Sequence, residues 1–231
     1  MPRISVFMPS HNKAGFAVEA VKSVLEQDFQ DWELWIMENS TDERTRRILK
    51  KFLPLDEDPR IIYEEIDISP ETRDQLCPAP WLLNQYYPLA NGDIIMYISD
   101  DDLFMPDIFR YVVAYLDHYE DRDAVYFHLV RTQALRPGEG REWDAQFMAI
   151  PAYTERKVND LDCQVDGGQV AYRRNVLEVI GQPYFFQGKS PDSNHADGMH
   201  LEKVAKAGFT FYPIPKPGVI HRHTLASTWS N

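Results

Sequence analysis

At 231 residues, with 44% apolar residues and 12 Phe, 12 Tyr and 5 Trp, the chain can build one large α/β domain or two small ones around a sizeable core. A formal net charge of -12 argues against a nucleic-acid or anionic-membrane surface, because phosphate backbones demand clustered Lys and Arg; a phosphorylated ligand would need a metal or a local basic patch. The two cysteines, Cys77 and Cys163, lack metal-ligand spacing and suit a reducing compartment, with a bridge between them left open.

The N-terminus enters a strand-like run at once, with no signal-peptide core and no apolar stretch of about 18 residues. This predicts a cytoplasmic protein without an integral membrane segment; peripheral attachment to a membrane stays open. Ile4 to Met8 reads as a strand broken by Pro9, and Ala17, Val18, Val21, Val24 and Leu25 share one face of a helix beginning at Ala14. Trp32 to Met37 reads as a second strand, and Ser40, Thr41 and Asp42 are N-cap candidates for a helix reaching Phe52. Arg60 to Ile66 reads as a third strand. Such alternation predicts a parallel sheet with right-handed crossovers. Pro70 to Pro80 reads as a loop, and Trp81 to Leu89 as a helix stopped by Gly92.

The run Asp93 to Asp102 is an apolar strand ending in three carboxylates, with Pro106 beyond. Consecutive acids at a strand end present hard oxygen ligands where open α/β sheets bind their ligands, so a divalent cation and a phosphate can meet there. Ile108, Tyr111, Val112, Tyr115, Leu116 and Tyr119 then repeat at helical spacing and are read as core. Beyond His118 the pattern loosens: Ala124 to Val130 reads as a strand, Arg136 to Arg141 as a turn or exposed loop, and Gly181 to Ala196 as an aperiodic binding loop before a helix near Asp197. No linker forces a cut, so one continuous domain over 1–231 is expected, with residues 1–106 binding nucleotide and 107–231 binding acceptor.

Val6 to Asn12, Ser23 to Gln27, Met37 to Asp42, Asn84 with Ala90 to Asp93, and Ser99 to Asp102 with Pro106 occur in an order that resembles family 2 glycosyltransferases. The resemblance implies a GT-A fold: a Rossmann-like, mostly parallel central sheet flanked by helices, with a smaller mixed acceptor-side region. It also implies a nucleotide-diphospho-sugar donor, Mn²⁺ or Mg²⁺, and inversion at the anomeric carbon. A UDP-sugar is the first candidate, the acceptor being a saccharide or other hydroxyl in glycan or polysaccharide biosynthesis; a homo-oligomer stays open.

Carried over residue by residue, the resemblance puts Pro9, Ser10, His11 and Asn12 against the base, with Asn12 also the expected N-cap of the first helix. Glu38 stands where the family usually has Asp, and the Gly usual after Asn39 is missing, which leaves base identity open. Asn84 and Asp100 complete the nucleotide set, Asp100 through ribose hydroxyls. Ser99-Asp100-Asp101 falls on the D-x-D motif with Ser99 replacing the first Asp; Asp101 is the leading metal ligand, joined by Asp102, which alternatively caps the next helix, and by His221 or His223, which share one face of a strand read over Val219 to His223. Asp197 falls on the catalytic Asp, with Ala196 where Glu is common, and would take the acceptor's proton. Asp166, Gly167 and Gly168 resemble the segment under the transferred sugar, where a plain β-turn is the alternative. Leu83 replaces the usual phosphate Arg, so Arg73 or Arg222 would have to meet the phosphates. A catalytically silent sugar-nucleotide or glycan-binding module is the competing reading; a pyrophosphorylase is disfavoured by the absence of a Gly-rich, basic N-terminal loop.

Overall fold

The computed structural model describes residues 1–134, 136–139, 165–188 and 196–224. Four parallel strands, β1 (Ile4–Ser10), β2 (Trp32–Glu38), β3 (Ile61–Glu65) and β4 (Ile94–Tyr97), lie in the order β3-β2-β1-β4. The sheet continues through β7 (Val170–Arg173), β6 (Ala124–Gln133), β8 (Phe211–His223) and β5 (Leu103–Phe104) to eight strands. β7 is antiparallel to both β4 and β6, β8 is parallel to β6, and β5 is antiparallel to β8. The mixed region is therefore the half that follows the acidic strand.

β1 and β2 are buried along their whole length, as strands covered on both faces must be. On one face Ile4, Val6, Met8, Leu34 and Ile36 pack with α1 (Ala14–Leu25), α2 (Glu43–Phe52) and α5 (Ile108–His118). On the other, Phe7, Trp35 and Met37 pack with α4 (Pro78–Tyr86), α6 (Asn175–Ile180) and α7 (Ala196–Lys206). This arrangement brings the C-terminal ends of β1, β2 and β4 and the start of α7 to one side of the sheet.

Several motif residues serve this frame. Buried Glu33 accepts from the Asn91 backbone and side chain at 2.8 and 2.9 Å, which shapes the turn into β4. A Cβ at Gly92 would lie 2.6 Å from the Ser5 nitrogen, so only glycine fits there. Gln27 joins α1 to the segment before α5 through the Met105 carbonyl at 2.8 Å and the Phe109 N–H at 3.2 Å.

The structure corrects four local expectations. Residues 70–75 are not loop but α3 (Pro70–Gln75), N-capped by Ser69 with Pro70 in its first turn, and α4 starts at Pro78 rather than Trp81. Asn12 is not the cap of α1: it has φ 56°, and Lys13 holds the cap position. Of the stripe read as core in α5, Ile108, Val112 and Leu116 are buried and Tyr115 is half-buried against them, but Tyr111 is exposed beside Arg110 and Lys216 while Phe109 and Val113 are buried instead. Finally, β8 starts well before Val219 despite Pro213, Pro215 and Pro217. Its register against β6 shifts beside His128, where Pro217 pairs, so the ladder is broken where proline cannot donate. Cys163 lies outside the described residues, and so does the bridge left open above. Among the described residues no helix is long and apolar enough to cross a membrane.

Candidate active site

A cavity of about 260 Å³ opens where β4, α7 and β8 meet, lined at one end by Lys13, Ser99, Asp101 and His221 and in its middle by Asp166, Gly167 and Asp197. Its floor is apolar and aromatic, with Leu83, Tyr87, Tyr172 and Phe185.

The three acids are 7, 4 and 1% exposed and have different partners. Asp100 accepts from the His11 N–H at 2.7 Å and lies 3.5 Å from Lys13 Nζ. Burial pushes its carboxyl up to about 6 despite that ammonium. Asp101 Oδ2 receives Lys13 Nζ, and the Thr224 hydroxyl at 3.1 Å. Asp102 accepts from the Arg222 N–H at 2.9 Å and contacts His221 Nδ1 at 3.1 Å, so it fastens β8 and does not cap α5. Burial opposes charge on His221, but the hydrogen bond and charge of Asp102 push it up to about 9, which keeps the imidazolium at neutral pH.

His221 lines the cavity beside Asp102, and His223 is exposed, its ring in edge contact with that of His221. Among the described residues no group of three His, Cys, Asp or Glu is placed to hold a metal. Hard oxygens at Asp101 nevertheless fit Mg²⁺ or Mn²⁺ of the kind that takes one or two carboxylates and completes its shell with phosphate and water.

Asp166 N-caps a short 3₁₀ turn, accepting from the Gly168 N–H at 2.8 Å, while its own N–H donates to Gln169 Oε1 at 2.9 Å. The turn aims the Gly167 N–H at Asp197 Oδ2, 3.2 Å away, and the Gly198 N–H reaches Asp197 Oδ1 at 2.9 Å. Burial raises the Asp197 carboxyl above its ordinary value, and the charge of Asp166 adds to this; burial and then Asp102 raise Asp166 likewise. Two acids with raised carboxyls thus stand on the cavity wall, as acid-base work requires.

The remaining expected nucleotide residues lie outside the cavity lining. Pro9 and Ser10 are buried in β1, leaving His11 and Asn12 exposed beyond the strand. His11 Nδ1 lies 3.0 Å from the Asn39 carbonyl, and Arg73 donates to the Asn39 side chain at 3.1 Å. Arg73 thus sits beside His11 and Asn39. Glu38 is fully buried, accepting from the Ser40 N–H at 2.7 Å and Arg46 Nε at 2.8 Å. Asn84 is also a frame residue: its amide donates to the Phe185 carbonyl at 2.9 Å and accepts from the Tyr184 and Phe185 N–H groups. Arg222, fully buried against Glu19 and the Asp101 carbonyl, cannot reach a ligand's phosphates. Lys13 was missed from the sequence, although a cation at the N-terminus of a helix, where the dipole opposes it, was the available signal.

His200, also in the cavity lining, is held between the Tyr184 carbonyl and the Tyr172 hydroxyl, each at 3.1 Å, and burial lowers it to about 4. The unfolded chain takes up this proton near the ordinary 6.5 and the folded one only near 4. The contribution of neutral His200 is therefore complete above 6.5 and lost as pH falls. Wild type should lose about 3 kcal/mol more than His200→Gln between pH 7 and pH 4 in denaturant melts; parallel pH profiles would refute it.

Asp101 at the end of the β4 segment and the pair Asp166 and Asp197 line one cavity of this α/β sheet. S. aureus TarS, solved with UDP-GlcNAc, superposes with a TM-score of 0.68 at 17% identity over 96% of this chain and 58% of its own, and the fold is GT-A. Residues 5–68 match the Glycosyl transferase family 2 model. The putative colanic acid biosynthesis glycosyl transferase WcaA of Escherichia coli is 35% identical over 106 residues, 46% of this chain and 35% of WcaA. Protein CgeD of Bacillus subtilis is 26% identical over 215 residues, 92% of this chain. The chain spans 48% of CgeD's length, about half.

Proposed function

We propose that this domain is a metal-dependent, inverting glycosyltransferase that moves a sugar from a nucleotide-diphospho-sugar, with a UDP-sugar first, to an acceptor hydroxyl in glycan or polysaccharide biosynthesis. The observation that carries it is the single cavity joining Asp101, Lys13 and His221 at one end to Asp166 and Asp197 on its wall. In this reading residues 1–106 hold the nucleotide and 107–231 meet the acceptor. The UDP preference is supported by the GT-A neighbour bound to UDP-GlcNAc.

Asp101 would hold the cation, whose contribution is to neutralise charge on the departing diphosphate. Asp166 accepts hydrogen bonds from sugar hydroxyls. Asp197 takes the acceptor hydroxyl's proton as that oxygen bonds to the anomeric carbon, while the bond from that carbon to the diphosphate oxygen breaks on the opposite face. One displacement inverts the centre. The His221 imidazolium and the Lys13 ammonium face the negative charge that grows on the leaving group.

Thermal melts with UDP, GDP and dTDP, with and without Mn²⁺, test the donor site. A diphosphate at about 100 times its dissociation constant should add about 2.7 kcal/mol, and Asp101→Ala should abolish the Mn²⁺ dependence. No shift with any of the three would overturn the reading, and metal-independent binding without transfer would favour the silent module.

A further inference from the structure

We propose that Lys13 is an exchangeable counter-ion: it holds Asp101 until a divalent cation takes that carboxylate, then passes to the donor's diphosphate. This rests on the donor-site reading above.

Asp102 has the Arg222 N–H and the His221 ring as partners, and Asp100 has the His11 N–H. Asp101 instead has Lys13 as its cationic partner, together with the Thr224 hydroxyl. The same ammonium is 3.5 Å from Asp100, and the Lys13 side chain is 17% exposed. The chain places it there against local preference. Asn12 at φ 56° and Ala14 at φ 24° flank it in the left-handed region, which side chains rarely adopt, and the start of α1 is the helix end that disfavours a cation. Such local cost is retained where surrounding contacts over-determine it; here Ser40 and Thr41 hold Asn12, and the carboxylate cluster holds Lys13. An ammonium on a flexible stem can change partners without moving the backbone, whereas the buried guanidinium of Arg222 is fixed by Glu19 and the Asp101 carbonyl. Lys13 and His221 both line the cavity.

The consequence is opposite in sign for two ligands. Lys13 competes with a divalent cation for Asp101, yet assists the diphosphate that arrives with it. In Lys13→Met, Mn²⁺ alone, titrated by electron paramagnetic resonance, should bind about tenfold more tightly than in wild type. At saturating Mn²⁺, UDP should bind about tenfold more weakly by calorimetry. Unchanged Mn²⁺ affinity overturns the competition, and unchanged UDP affinity overturns the transfer to phosphate. Lys13→Arg, which keeps the charge, should return Mn²⁺ affinity toward wild type. Should the Met variant fail to fold, the side-chain ammonium resonance of Lys13 in wild type gives the same answer: it should shift with Mg²⁺ and again with UDP, and silence in both titrations overturns the proposal. If wild type binds no nucleotide diphosphate, the donor reading fails by itself, while the Mn²⁺ comparison still reports on Lys13.

Discussion

Asp197→Asn is expected to leave nucleotide binding unchanged and to lower sugar transfer by about two to four orders of magnitude, the usual share of general-base catalysis. The amide keeps the shape and one acceptor for the Gly167 or Gly198 N–H, but it takes no proton. Folding should change little, because the lost hydrogen bond is offset by relief of the repulsion from Asp166 that, after burial, raises the Asp197 carboxyl. The same raised carboxyl sets the sign of the pH profile. Only ionised Asp197 accepts a proton, so transfer in the wild type should rise with pH through a value above the ordinary carboxylate range. Asp166→Asn should move that limb downward. Near-wild-type transfer in Asp197→Asn would leave this carboxylate a helix-end residue and return the search for the base to Asp166 or to Asp192, which lies outside the described residues.

Arg222→Met is expected to cost about 3–5 kcal/mol of stability, the usual result of breaking a buried ion pair from one side. Arg222 is fully buried, pairs with Glu19 at 8% exposure, lies 4.9 Å over the Phe16 ring and donates to the Asp101 carbonyl. Its removal leaves the Glu19 carboxylate inside the protein without that cation. The double variant Arg222→Met, Glu19→Leu should recover much of the loss, since apolar groups of similar volume replace a buried pair at little cost. Denaturant melts of both single variants and the double one measure the coupling. Additive losses would show that the pair is not the stabilising unit.

Much of the frame was legible in local pattern. The strands β1 to β4 were read from short apolar runs, and α1 from its 3.6-residue repeat, because each signal lies within a few consecutive residues. α3 was misread although Ser69, Pro70 and Glu71 spell a helix start, since the segment has no buried residue and hence no apolar period. The first half of β8, before Val219, escaped notice because three prolines argue against a strand, and the broken register that accommodates them exists only beside β6. The tyrosines of α5 share helical spacing with its core face, but periodicity does not say which of two adjoining stripes meets the sheet.

The sequence by itself determined that a sheet strand ends in acids, that a second acid opens a later helix, and that an α/β core surrounds both. Those features follow from residue type and short-range spacing. Tertiary structure alone decided what each charge meets. Glu38 and Asn84 carry motif positions, yet Arg46 and the 184–185 backbone claim them as frame. Arg222 was a phosphate candidate and became the anchor of the acidic turn. Lys13, unremarked in the sequence, stands on Asp101, which is distant in sequence and adjacent only because β1 and β4 pair in parallel and end together. Electrostatic partnership depends on distance and burial, and both are set by how the strands and helices pack.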